Sequence, residues 1–377
     1  MRKMAIFRKK RQIPPPREII YTLDGSSMSD LQKRWLTKDG KVRLSEIVSL
    51  ASKGDGKEIE QTLGRIDGRL DLRGMKLKAT ATDKFNVNVE GRRYKVKLGE
   101  LKLDSIELTG ADFDYSIFEN VIFKDCEYND ASFKSIKFIG WRDFGSIYKR
   151  SSFVGSSFTD FCCLGSHDNV TQRVTEYHDC DFSQSKMHKC SGTFPLFENC
   201  RFERVVIDDV NFDGSRFTDC VFSGKLQDVY FHGLYIAPKM EGYWQPPRKI
   251  FANPMKNVDF SHCSVDGLEF TVDIDLSSVI LPNEDDHIFI WFPKRTFSRA
   301  LELAKIETWG NLKASEKGMT LQEYFALNLE NASRGTERRL EILNRKEAED
   351  DGGPFFKTWV DIVEKCSESE AHYSKSS

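Results

Sequence analysis

The chain has 377 residues, 30% of them charged, with 56 basic and 58 acidic side chains that leave a net charge of −2. Its longest apolar run, residues 288–292, falls far short of the roughly 20 residues that span a bilayer, and the opening Met1-Arg2-Lys3-Met4 lacks the apolar core of a secretory leader. A cytoplasmic protein with no membrane span is therefore expected.

The charge is segregated, however. Residues 1–97 carry 24 basic and 12 acidic side chains, whereas residues 98–283 carry 18 and 28. Residues 1–17 hold Arg2, Lys3, Arg8, Lys9, Lys10, Arg11 and Arg17, with Pro14-Pro15-Pro16 stiffening the chain. This basic, flexible tail reads either as solvated chain or as an arm for an anionic surface. A helical N-terminal cap is expected over 18–69. Ser29-Asp30-Leu31-Gln32 forms a capping box, followed by apolar positions Leu44, Ile47, Val48 and Leu50, then Ile59 and Leu63. Residues 79–97, with Phe85, Val87, Val89, Tyr94 and Val96, read as strand. They form either an irregular first coil or a hairpin beside it.

From residue 98 a large apolar residue falls on every fifth position: Leu98, Leu103, Leu108, Phe113, Phe118, Phe123, Tyr128, Phe133 and Phe138. Two places before each stands a smaller or second apolar residue, as at Ala111, Val121, Cys126 and Ala131. A period of five fits neither the 3.6 of a helix nor the 2.0 of a strand. It fits a chain that turns a corner every five residues and closes a square in about twenty, with coils stacked at about 4.8 Å, the ordinary strand spacing. A solenoid of this kind grows by adding coils. Phenylalanine, with 28 residues, is abundant enough to fill such an axis. The units Ala111-Asp112-Phe113-Asp114-Tyr115 and Ala131-Ser132-Phe133-Lys134-Ser135 resemble the Ala-Asp-Leu/Phe-x-x unit of the pentapeptide-repeat family. That resemblance implies a mainly β fold: a right-handed quadrilateral β-helix over 70–283, with an α-helical N-terminal cap and an α-helical C-terminal region.

The register continues through Tyr148, Phe153 and Phe158, but Asp143 takes one beat, so a loop is expected near 139–147. A polar stretch predicts a second loop near 164–176. The beats return at Phe182 and Phe202, then at Phe212, Phe217 and Phe222. With Phe113, Phe118, Phe123, Phe133 and Phe138 these phenylalanines form the expected core. The pattern dissolves over 225–257, where Tyr243-Trp244-Gln245-Pro246-Pro247 is the densest loop signal. It returns at Phe260, Val265 and Phe270. A helical region is expected over 284–366, including a short helix around Leu340 and Leu343, a capping box at Thr320 to Glu323 and a last amphipathic helix through Phe355, Trp359 and Val363. A disordered tail is expected over 367–377.

Nothing specific to an enzyme emerges: there is no phosphate loop, nucleophile elbow or metal-ligand helix motif. Among the nine cysteines, six sit two places before a beat, where a thiol serves as a small hydrophobe. His178-Asp179-Cys180 and His188-Lys189-Cys190 match no zinc spacing, so neither metal nor cofactor is expected. The outward positions of the coil are acidic, with Glu107 and Glu127 one coil apart, the pair Asp208-Asp209, and Asp112, Asp125 and Asp130 among others. Such a surface serves solubility or a partner. The resemblance extends to members of the quinolone- and toxin-resistance type, and it implies a DNA-mimicking protector of DNA gyrase or topoisomerase IV. In that reading Glu107, Glu127, Asp208, Asp209, Tyr243 and Trp244 meet the protein partner, the coil itself binds no specific nucleic acid, and a homodimer forms through the C-terminal helices. The alternative is an interaction scaffold using projecting loops and those helices.

Overall fold

The computed structural model describes residues 28–63, 65, 68–79, 81–89, 92–99, 101–167, 171–233, 252–307, 311–313, 319–334, 337–350 and 353–367. Helices α1 (Met28–Arg34), α2 (Lys38–Ala51) and α3 (Gly56–Leu63) precede the coil. Trp35, Ile47, Ala51 and Ile59 are buried in one core with Leu70, Leu72, Leu77, Leu103 and Leu108 of the first coil. Arg34 fastens this cap to the coil: its Nη1 and Nη2 donate to the Asp71 carboxylate at 2.6 and 2.8 Å, and Arg73 Nε, two residues further along the coil, donates to the same carboxylate at 2.9 Å. Burial alone would push that carboxyl up, but the two guanidiniums outweigh it and hold it down to about 2. Helix α1 opens at Met28, ahead of the Ser29 box.

Beyond the cap, residues twenty apart are parallel strand partners: Leu108 pairs with Tyr128, Phe118 with Phe138 and Phe123 with Asp143. Four sides result, named here by their axial residues in one coil: Phe113, Phe118, Phe123 and Tyr128. All ten phenylalanines of the expected core are buried. On the Phe113 side the rings run parallel up the axis, Phe113 on Phe133 at 4.9 Å, Phe153 on Phe182 at 4.6 Å and Phe202 on Phe222 at 4.5 Å between centroids. The small inward position has its own chemistry. Ser151 Oγ and Ser156 Oγ donate to the Tyr128 and Phe133 carbonyls of the coil below at 3.2 and 2.6 Å. Cys126 Sγ and Cys200 Sγ do the same to Leu103 and Tyr177 at 3.1 and 3.4 Å. Serine and cysteine are therefore interchangeable there, and burial pushes the Cys126 thiol up to about 12.

Several expectations are corrected. Residues 139–147 do not leave the square as a loop: strands Lys137–Ile139, Arg142–Phe144 and Ile147–Lys149 continue the coil without interruption. Asp143 is tolerated on the axis because Tyr148 Oη and Thr175 Oγ1 donate to it at 2.6 and 2.7 Å, and the Ser146 amide at 3.1 Å. The chain does leave the square later, between the axial residues Leu164 and Tyr177, within the range expected for the second loop, and regular rungs resume at Tyr177, Phe182 and Met187. The break expected over 225–257 is narrower than that range, since strand Val221–Phe231 runs through its first part and Met255 is again a buried axial residue. Tyr243 and Trp244 lie outside the described residues, as do the basic tail of 1–17 and the tail of 368–377. Residues 79–97 fall largely in an antiparallel hairpin, Ala81–Val89 with Arg92–Gly99, inserted between two sides of the first coil.

The C-terminal region is not purely helical. Strand Arg338–Asn344 pairs antiparallel with coil strand Asp259–Thr271 on one edge and with His287–Trp291 on the other. The short helix expected around Leu340 and Leu343 is therefore strand, with Leu340 and Ile342 buried in the coil's own core. Switching from parallel to antiparallel pairing covers the outer edge of strand Asp259–Thr271, which would otherwise template further pairing. Helices α4 (Pro293–Ile306), α5 (Leu321–Ala332), α6 (Arg345–Asp350) and α7 (Gly353–Cys366) follow or flank these strands. A second core forms there from Ile288, Ile290, Phe297, Phe325, Phe355, Trp359 and Val363. The Thr320–Glu323 capping box is present, with the Glu323 amide donating to Thr320 Oγ1 and the Thr320 amide to Glu323 Oε2.

Candidate partner-binding surface

Each five-residue side presents three positions outward: the residue before the axial one and the two after it. The last of these is the corner, and its backbone is left-handed. Asn120, Asp125, Asp130, Asp179, Asn199, Asp209 and Asp219 all have φ between 51° and 56°. Non-glycine residues seldom adopt this region, and Asp and Asn do so most readily because their short polar side chains bond locally. Part of the coil's acidity is thus turn chemistry, written into the sequence as Asp, Asn or Gly two places after each beat.

Two carboxylates read as outward-facing are buried: Asp112 and Asp125, 8% and 6% exposed. Asp125 accepts from Thr171 Oγ1 at 3.0 Å and lies 3.4 Å from Lys124 Nζ. For Asp112, burial and then the neighbouring Asp114 push the carboxyl up to about 6.

Glu107 and Glu127 are direct cross-strand partners on the Tyr128 side. The same row continues through Ile147, Glu176, Leu196 and Arg216. Asp208 and Asp209 do not join them; they lie on the opposite, Phe118 side, where Lys76, Lys137, Lys186 and Lys225 stand exposed on alternate rungs. The candidate residues therefore occupy two opposed surfaces, of which the Tyr128 side is the more acidic.

Lateral pairing interrupts that acidity. Arg173 Nη2 donates to Glu127 at 3.0 Å, and Arg150 grips Asp130 one coil below through two bonds of 2.8 Å. The guanidinium of Arg150 holds the Asp130 carboxyl below its usual range. His178 sits between Glu198 and Glu176, with ring nitrogens 2.8 and 2.9 Å from their carboxylates, and His188 lies 2.8 Å from Asp208. Among the described residues no group of three or more His, Cys, Asp or Glu is arranged to hold a metal ion, and no helix is long and apolar enough to cross a membrane.

The family model "Pentapeptide repeats" matches residues 193–224 in eight copies. Among solved structures, the chain is similar to QnrB1, a plasmid-mediated fluoroquinolone resistance protein, at 13% identity, covering 54% of this chain and 89% of that one with a TM-score of 0.25. It is also similar to HetL, a pentapeptide repeat protein involved in heterocyst differentiation regulation from the cyanobacterium Nostoc sp., at 11% identity, 59% and 90% coverage and a TM-score of 0.24. No curated protein matches the chain. Likeness at these identities and TM-scores carries no argument about partner or role. Residues 193–224 thus match the pentapeptide-repeat family, and the twenty-residue register and four-sided coil carry the same five-residue repeat through the rest of the solenoid.

Proposed function

We propose that the protein is a non-enzymatic binding protein whose Tyr128 side engages the cationic, DNA-gripping surface of a type II topoisomerase, DNA gyrase or topoisomerase IV, and protects it against an inhibitor or toxin. The supporting observation is the in-register pair Glu107 and Glu127 on the most acidic side of the coil. That side carries Glu107, Glu127, Asp130, Glu176, Asp179, Glu198 and Asp219. It extends over roughly 30 Å of stacked coils, a length on which duplex DNA holds about 18 phosphates. Its charge density is less than half that of DNA even before pairing with Arg150 and Arg173, so contacts of shape must add to the electrostatics.

A second reading, an interaction scaffold for another protein, is favoured by that same lateral pairing, which leaves no unbroken acidic stripe. A supercoiling assay with a gyrase poison separates the two. The topoisomerase reading expects the purified protein to restore supercoiling in the presence of the poison. No protection together with no binding to the enzyme at low salt would leave the scaffold reading.

A further inference from the structure

The chain leaves the square at the corner between the Phe123 and Tyr128 sides, and residues 171–175 bring it back along the outside of the coil. Thr171 Oγ1 donates to Asp125 Oδ1 at 3.0 Å, and Arg173 Nη2 donates to Glu127 Oε1 at 3.0 Å. Glu127 lies two rungs below Glu176 on the Tyr128 side, so the segment reaches down the coil. Its base is fixed in the interior: Thr175 is buried, donates through Oγ1 to the Asp143 carboxylate at 2.7 Å and accepts from the Gly145 amide at 3.2 Å. Its outer end is held by less, since Thr171 is exposed and the Arg173–Glu127 pair is half-buried.

The coil makes room for this segment at the corner it crosses. A Cβ on Gly145, whose φ is 76°, would lie 2.6 Å from Asp125 Oδ1, 3.1 Å from the Arg173 carbonyl oxygen and 3.2 Å from Arg173 Cβ. Stacked corner side chains otherwise fit the coil. In the next corner row Asp130, Arg150 and Asp179 follow one another with φ of 54°, 51° and 55°. Gly145 therefore admits the segment rather than the turn. The seat so formed accepts a hydroxyl at Asp125 and a guanidinium at Glu127, the in-register partner of Glu107. An exposed ion pair adds little to folding, whereas its effect on the surface is direct. With Arg173 in place, Glu127 meets a partner as half of a neutral pair.

We propose that Thr171–Arg173 is an autoinhibitory strap, which fills the seat of Asp125, Glu127 and Gly145 until an arginine-bearing segment of a cationic partner displaces it. The inference deepens the reading of the Tyr128 side as a surface for a cationic partner and rests on it. A labelled deca-arginine peptide serves as the probe, titrated by fluorescence anisotropy against the full chain at 50 mM salt. Gly145→Asn leaves the net charge unchanged, and Asn suits a left-handed corner. It should displace the strap and tighten peptide binding about threefold, the scale of one freed exposed ion pair. Glu127→Gln should then cost more binding in the Gly145→Asn protein than in the parent, because the two sites are coupled through Arg173. If Gly145→Asn melts early, Arg173→Gln is compared with Lys149→Gln, which removes a charge from an exposed lysine of the same side. The strap predicts the larger tightening for Arg173→Gln. No tightening by a Gly145→Asn protein that melts like the parent, or equal tightening by Arg173→Gln and Lys149→Gln, would overturn the proposal. Repeating the titration with DNA gyrase separates the two readings. Tighter peptide binding with no gyrase binding by either protein removes the topoisomerase reading and supports the strap. Gyrase binding that Gly145→Asn leaves unchanged removes the strap instead.

Discussion

Asp143 occupies a position that aromatic or aliphatic residues hold elsewhere on the axis, and its carboxyl is fully buried. Burial pushes it up to about 6 despite the bonds from Tyr148, Thr175 and Ser146. The unfolded chain releases this proton near the ordinary 3.8, so between those values the folded state holds the extra proton. The group's contribution to stability is complete below about pH 4 and falls as pH rises to 6, by about 3 kcal/mol in all. Asp143→Asn keeps the acceptor and removes the titration. Its stability relative to the parent should therefore rise by about 2 kcal/mol between pH 4 and pH 6.5, read by denaturant unfolding; a difference independent of pH would contradict the assignment. Asp71 and Asp112 titrate in both proteins and cancel. Elsewhere on the axis the burial is apolar, and Phe118→Ala or Phe202→Ala should each cost about 3–5 kcal/mol. The beats of five made these positions legible. Asp143 misled because its solvation comes partly from Thr175, 32 residues away, and no local pattern carries that.

At the scale of elements, corner and cap explain what periodicity left out. The corner conformation costs an ordinary residue about 1–2 kcal/mol. Asp219, with φ 53°, should accept Gly with little change in melting temperature, whereas Asp219→Val should lower it measurably. Equal losses in both would show that its bond from Asn257 Nδ2, at 2.8 Å, dominates instead. The C-terminal cap was only half legible. Residues 338–344 contain Leu340, Ile342 and Leu343, an apolar spacing compatible with either helix or strand, and the pairing that decides it comes from Asp259–Thr271, far back in the chain. Helix α7 packs its Phe355, Trp359 and Val363 into the cap's own core, and Trp359 Nε1 donates to Asn328 at 3.1 Å. Trp359→Ala should destabilise the cap by about 3–5 kcal/mol. Calorimetry should show the loss in the cap's melting while axial ring contacts near Phe133 persist by near-ultraviolet dichroism.

For the whole molecule, the charge arrangement matters more than the net value of −2. The acidic coil was legible as composition, but composition could not reveal that Asp208 and Glu127 sit on opposite sides, that corner geometry places many of the aspartates, or that Arg150 and Arg173 bridge rungs. The binding account rests on the Tyr128 side, so the most direct measurement is a titration of DNA gyrase with the parent protein and with Glu107→Lys/Glu127→Lys at 50 and 200 mM salt. Both substitutions are at outward positions of the coil, and the variant should melt like the parent. The account predicts binding by the parent that weakens with salt, as screening of charged surfaces requires, and clearly weaker binding by the variant at 50 mM. Equal binding by the two proteins, or none by the parent at 50 mM, would contradict it.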